Sequence, residues 1–164
     1  RLGGQTGELD LDAHPALAAL GALINAAIRD SAAFFRQSGL AAHPVMARAA
    51  ERWTLRVWGT VLGPGGHQAP HMHPLGWLSG AYYVRVPDDM QPMPGSSDPA
   101  LIAGALEFGR PPEHLLIKTP AEVRVVEPRA GRLALFPSAF YHRTIPFTSG
   151  TRRISIAFDA MPLR

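Results

Sequence analysis

The chain has 164 residues, with 16 glycines, 16 prolines, no cysteine and a net charge of +3. That length predicts one domain over residues 1–164 with a core that needs no disulfide, and the lack of cysteine excludes disulfides and thiolate metal ligands. Lys118 is the sole lysine and the arginines are scattered without a basic run or zinc-finger pattern, so nucleic acid is not an expected partner.

The chain opens at Arg1 rather than Met, as a trimmed chain would. Residues 1–12 read as an irregular lead-in or a short edge strand. Pro15 suits a first helical turn, and Leu17, Leu20, Ile24 and Ile28 recur at three- and four-residue spacing up to Ser38-Gly39. This predicts one amphipathic helix. Its apolar run, residues 15–28, is short for a bilayer span and carries Asn25, and the acidic residues before it do not suit a signal peptide. A cytoplasmic protein with no membrane partner is expected. A second, shorter helix is expected over residues 43–51, so residues 13–50 form a helical support region.

The period then changes. Trp53, Leu55 and Val57 alternate with Arg52, Thr54 and Arg56, which predicts a strand with one buried face. Further strands are expected over residues 77–86, 103–108, 121–126, 131–136 and 153–159, with a proline-rich loop over residues 88–100. Many short strands between turns, with no long crossover helix, point to a mainly β sandwich or jelly roll.

Candidate chemistry lies in a few positions. His71 and His73 stand in the run Pro70-His71-Met72-His73-Pro74. At this spacing on a strand both side chains share a face, with Cβ atoms roughly 6–7 Å apart. Neutral imidazoles suit iron, zinc, copper or nickel. An exposed pair of this kind can be incidental, but here the flanking prolines fix the backbone. A third histidine, His142, follows the alternating run Leu133-Ala134-Leu135-Phe136. His67 is a spare ligand or supporting donor. His14, His43 and His114 have no partner at ligand spacing and read as surface or packing residues.

In the run 153–159, Arg153, Ser155 and Ala157 share one strand face, and Ile154, Ile156 and Phe158 share the other. A guanidinium fork grips a carboxylate, a hydroxyl adds a donor and a small alanine leaves room. By local pattern alone, a half-exposed strand with a surface arginine accounts for the run equally well.

Taken together, His71-Met72-His73-Pro74, Leu78-Ser79-Gly80-Ala81-Tyr82-Tyr83-Val84, Gly104-Ala105-Leu106-Glu107-Phe108, Gly131-Arg132-Leu133-Ala134-Leu135-Phe136-Pro137-Ser138, His142, Pro146-Phe147 and the closing Arg153 strand resemble the 2-oxoglutarate- and iron(II)-dependent oxygenases. The resemblance implies a double-stranded β-helix, a cupin-like jelly roll, over residues 53–159, with the N-terminal helices packed outside. It implies Fe(II) held by His71, His73 and His142, with 2-oxoglutarate and O2 as cosubstrates and release of succinate and CO2. Arg153 would take the far carboxylate of 2-oxoglutarate, with Ser155 and Tyr83 beside it. Trp77, Tyr82 and Ser79 are candidate lining residues, and the 88–100 loop would shape the substrate entrance. The usual second ligand of such sites is a carboxylate where this chain has His73, which leaves the iron one unit more positive. Glu107 is the fallback carboxylate.

Two other readings stand beside this one. A three-histidine cupin-type metal enzyme need not use 2-oxoglutarate, and a β-barrel module could hold a metal without catalysis. Arg153 facing the metal from within the barrel would favour the cosubstrate reading over the first, and a coordination shell filled only by protein atoms would favour the second. A small molecule or a peptide is the expected substrate class, and a homodimer through an exposed sheet edge is an available assembly.

Overall fold

A computed structural model describes residues 3–95 and 102–163. The strands are β1 (Gly3–Glu8), β2 (Trp53–Leu62), β3 (Leu78–Arg85), β4 (Gln91–Pro92), β5 (Leu106–Phe108), β6 (Arg124–Val126), β7 (Leu133–Pro137), β8 (His142–Thr144), β9 (Phe147–Thr148) and β10 (Arg153–Pro162), with one α-helix, α1 (Pro15–Gln37). Five strands form an antiparallel sheet in the order β1-β2-β10-β3-β7, a second sheet has the order β6-β5-β8, and β4 pairs with β9. The second sheet is extended beyond β8 by a single bridge between His71 and His142. This is a mainly β double-stranded β-helix with its helix on the outside.

Side-chain parity explains the layering. On one face of the large sheet, Val57, Phe158, Ala160 and Leu78 join Leu20, Ile24, Ile28 and Ala32 of α1 in a buried core, with Leu55, Ile156, Tyr82, Leu133 and Leu135 packed against them. On the opposite face, Ala134 and Phe136 pack against Leu106, Phe108 and Val126 of the smaller sheet. Strand β7 therefore contributes alternate residues to two different cores, as a period of two requires.

Local chemistry sets the helix ends. The His14 ring Nδ1 accepts the Ala16 N–H at 3.1 Å, Pro15 occupies the first turn, and Gly39 beyond the C-terminus has φ +72°. His14 is thus an N-cap, as is His43, whose Nδ1 accepts the Val45 N–H at 3.2 Å. The helix runs 23 residues to Gln37, where the periodicity ends it, and as a whole it is long and apolar enough by length and composition to cross a bilayer, although its most apolar run, residues 15–28, is too short. Here its apolar stripe is buried on the sheet. Asn25 accepts a hydrogen bond from the Trp53 indole at 2.8 Å.

Two expectations are corrected. The second helix is a five-residue 3-10 turn, Pro44–Arg48, with no fully buried residue; Val45 and Met46 alone pack against the core from it, too little to hold a longer helix. The segment 88–100 is not wholly a loop, since Gln91 and Pro92 pair with Thr148 and Phe147; residues 96–100 lie outside the described residues.

Gly80 sits where the Phe158 ring crosses β3. A Cβ there would lie 2.3 Å from Phe158 Cζ and 2.5 Å from the Ala134 carbonyl oxygen. Gly80→Ala is expected to cost about 1–3 kcal/mol through overpacking, read as a lowered denaturation midpoint. Gly4→Ala, where nothing lies within 4 Å, should leave the midpoint unchanged.

Candidate metal centre and its cleft

The segment carrying His71 and His73 is not a strand, as expected from its spacing, but an irregular stretch held at a few points. His71 and His142 exchange backbone hydrogen bonds, N–H to carbonyl, at 3.0 and 2.9 Å, and the His73 N–H donates to the Ser138 carbonyl at 2.9 Å. Arg48, at the end of the 3-10 turn, donates to the Pro74 carbonyl and, at 3.3 Å, to that of Gly76. The helical support thereby clamps the histidine loop against the barrel.

The pairing brings the three rings together. One ring nitrogen from each of His71, His73 and His142 lies within 4.8 Å of the others. Each Nδ1 faces an oxygen: the Ala69 carbonyl at 2.8 Å from His71, an Asp159 carboxylate oxygen at 2.9 Å from His73, and the Phe140 carbonyl at 3.0 Å from His142. Those oxygens only accept, so each Nδ1 carries the proton and donates. The Nε2 lone pairs are left for a metal, and the donor set fits a divalent transition ion. Burial pushes the His142 pKa down to about 4, with the neighbouring His71 and His73 adding to the effect against the Phe140 carbonyl. His142 is therefore neutral near pH 7, as a ligand must be.

The inner face of the large sheet forms the rest of the cleft, in rows set by register. Tyr83, Ser155 and Thr60 lie directly across β3, β10 and β2; the next row is Ala81, Ala157 and Trp58; beyond it Ser79 faces Asp159. Trp58 stacks on His73 with centroids 5.8 Å apart and planes 20° apart. Asp159 takes a second hydrogen bond from the Ser79 hydroxyl at 2.6 Å, and Ser79 meets the Ser138 hydroxyl at 2.8 Å.

Arg153 points into the same cleft and is only 3% exposed. It donates to the Gly104 carbonyl at 2.6 Å, and its guanidinium carbon lies 5.0 Å from the centre of the Tyr83 ring. No carboxylate pairs with it among the described residues. Three buried hydroxyls nearby in the fold, those of Thr60, Tyr83 and Thr144, have no hydrogen-bond partner among the described residues. Burial pushes the Tyr83 pKa up, against the pull of Arg153 and Arg132, so its hydroxyl keeps its proton and can donate. An unpaired buried guanidinium and idle hydroxyls carry a cost that a bound carboxylate would relieve.

Three candidates fall elsewhere. Trp77 and Tyr82 pack on the helix side of the sheet: Tyr82 because even positions of β3 face outward, and Trp77, just before β3, with its indole donating to the Val45 carbonyl. Glu107, the fallback ligand, is buried opposite Arg143 and is bridged by Arg143 and Arg110, each through Nε at 2.6 Å. Burial pushes its carboxyl up, but the two guanidiniums outweigh this and hold it below its usual range. It is a structural anion with no lone pair to spare for a metal. Ser79 lines the cleft as expected, with its hydroxyl bound to Asp159. His67 is exposed against the Gly65 carbonyl, outside the cluster. Trp58, Thr60, Thr144 and Asp159 were not singled out in the sequence, although the parity of β10 places Asp159 on the face of Arg153.

Comparison with known proteins bears on this cleft. Residues 56–159 match the model of the family described as "Putative 2OG-Fe(II) oxygenase". No curated protein matches the chain. Among solved structures, a prolyl-4-hydroxylase from Pseudomonas putida is similar at a TM-score of 0.59 and 15% identity, over 99% of this chain and 74% of that one. A 2OG-Fe(II) oxygenase family oxidoreductase from Burkholderia pseudomallei is similar at a TM-score of 0.49 and 14% identity, over 71% of this chain and 48% of that one.

The buried imidazole gives the metal-free protein a pH dependence of defined sign. In the folded chain His142 takes up its proton only near pH 4, whereas its ordinary value is 6.5. Between those values the unfolded chain binds more protons, so stability is complete above pH 6.5 and is lost as pH falls toward 4, by about 3 kcal/mol at most. Denaturation midpoints of wild type and His142→Gln across this range should differ in slope, with the variant flatter.

Proposed function

The chain belongs to the 2OG-Fe(II) oxygenase family, and from that membership we propose that it is an Fe(II)- and 2-oxoglutarate-dependent dioxygenase that oxidises a C–H bond of a small molecule or peptide, releasing succinate and CO2. Residues 53–159 are the catalytic core in this reading and residues 13–50 its support. The observation that carries the proposal is Arg153, buried and without an acid partner, in the same cleft as the three converging histidines.

His71, His73 and His142 would hold the iron through Nε2, their Nδ1 protons being tied to oxygens. Arg153 would grip the far carboxylate of the cosubstrate, with Tyr83, Thr60 and Ser155 as hydroxyl donors along one row. Ala157 and Ala81 keep the middle of the cleft free of bulk. Iron and 2-oxoglutarate, when bound, supply the oxidising power through oxidative decarboxylation. The protein binds and orients them, and the buried walls at Leu106 and Phe136 keep water out. No protein general base is needed.

The all-nitrogen donor set favours a second reading, a three-histidine metal enzyme that takes no 2-oxoglutarate. Anaerobic titration of the metal-free protein with Fe(II) and then 2-oxoglutarate separates the two. The expected result is a visible metal-to-ligand charge-transfer band, with succinate release on admitting oxygen. His142→Ala should abolish the band. Arg153→Ala should leave Fe(II) binding intact and weaken 2-oxoglutarate by about 2–5 kcal/mol, as loss of one partner of a buried charged pair does. Fe(II) binding without any response to 2-oxoglutarate would replace the oxygenase reading with the second.

A further inference from the structure

We propose that Asp159 supplies the negative charge of the metal centre from one hydrogen bond away, acting through His73 as a positioning residue. The proposal rests on the reading of the three histidines as metal ligands. Three neutral imidazoles bring no charge to a divalent ion, yet a carboxylate sits directly behind one of them.

Both oxygens of Asp159 are committed. Oδ2 accepts from His73 Nδ1 at 2.9 Å, and Oδ1 accepts from the Ser79 hydroxyl at 2.6 Å. Ser79 is held in turn by Ser138 at 2.8 Å, and the Ser138 carbonyl accepts the His73 backbone N–H at 2.9 Å. The side chain and the backbone of His73 are thus fastened to one closed network. Ser79 and Ser138 are 2% and 0% exposed, so water does not compete for the bond between the two hydroxyls. Ser79 and Asp159 are directly paired across β3 and β10, which fixes their separation through the backbone. His71 and His142 differ: each Nδ1 donates to a neutral carbonyl. Among the described residues, the carboxylate contact falls on His73.

An acceptor behind Nδ1 fixes the tautomer and turns Nε2 toward the ion, and a charged acceptor also raises the basicity of the ring. A neutral amide would do the first and not the second. Asp159→Asn can keep the same contacts, with its carbonyl toward His73 and its amide toward Ser79, whose hydroxyl then donates to Ser138. It therefore isolates the charge.

Two measurements test this. Ring-nitrogen NMR of the metal-free protein should show His73 protonated on Nδ1 in wild type and in Asp159→Asn, with the preference lost in Asp159→Ala. Calorimetric titration with Co(II) should show Asp159→Asn weakened about 10–100-fold, with the thermal midpoint retained and His67→Ala unchanged. Wild-type His73 protonated on Nε2, or Asp159→Asn binding Co(II) as tightly as wild type, would overturn the proposal. A Co(II) loss in Asp159→Asn supports it whether or not 2-oxoglutarate binds. Wild type that binds no Co(II) would overturn both this proposal and the metal reading beneath it.

Discussion

The cleft depends on one backbone event: the mutual hydrogen bonding of His71 and His142. Residues that exchange both bonds in an antiparallel pair stand opposite one another with side chains on the same face. Two imidazoles far apart in sequence are therefore brought side by side by main-chain chemistry that any residue type except proline could supply. His73 joins them through a separate tie to the Ser138 carbonyl, and Arg48 holds the loop from outside. The ligand positions are consequences of how the barrel closes. A change that loosens closure would spread the rings without touching one of them.

The same strand, β10, carries charge of both signs on its inner face. Arg153 stands at its start and Asp159 six residues further on, with Ser155 and Ala157 between them. They do not meet; each is held by a different neighbour, the arginine by a carbonyl and an aromatic ring, the aspartate by two donors. A buried guanidinium without a counter-ion is a costly element in a stable fold. The inner face carries a polar lining with idle hydroxyls, while the helix side of the same sheet carries the apolar packing.

The sequence made part of this legible. Alternation over residues 153–159 placed Arg153 and Ser155 together because a period of two survives any amount of twisting. The helix could be read from its stripe, and the jelly roll from short strands between turns. The stretch around His71 could not be read as it stands, because its shape comes from long-range pairing, and residue spacing speaks only for regular elements. Two-residue strands such as β9 leave no period to detect. Glu107 looked free in sequence; its two arginines arrive from β8 and from the chain just after β5. Trp77 and Tyr82 were placed by chemical type, when parity on β3 already assigned Tyr82 to the other face; Trp77 lies just outside the strand and has no parity to read. Asp159 sat within the alternating run and was passed over as the end of a strand.

The bond between Asn25 and Trp53 has a consequence for how α1 is seated. Alanine dominates that helix, and small side chains resist sliding or rolling poorly, since neighbouring placements bury similar area. A lone amide that finds its indole in one placement and loses it in the others separates states that dispersion alone would leave nearly degenerate. The pin acts on uniqueness of docking more than on its strength, and through Arg48, further along the same support, a mis-seated helix would be felt at the histidine loop.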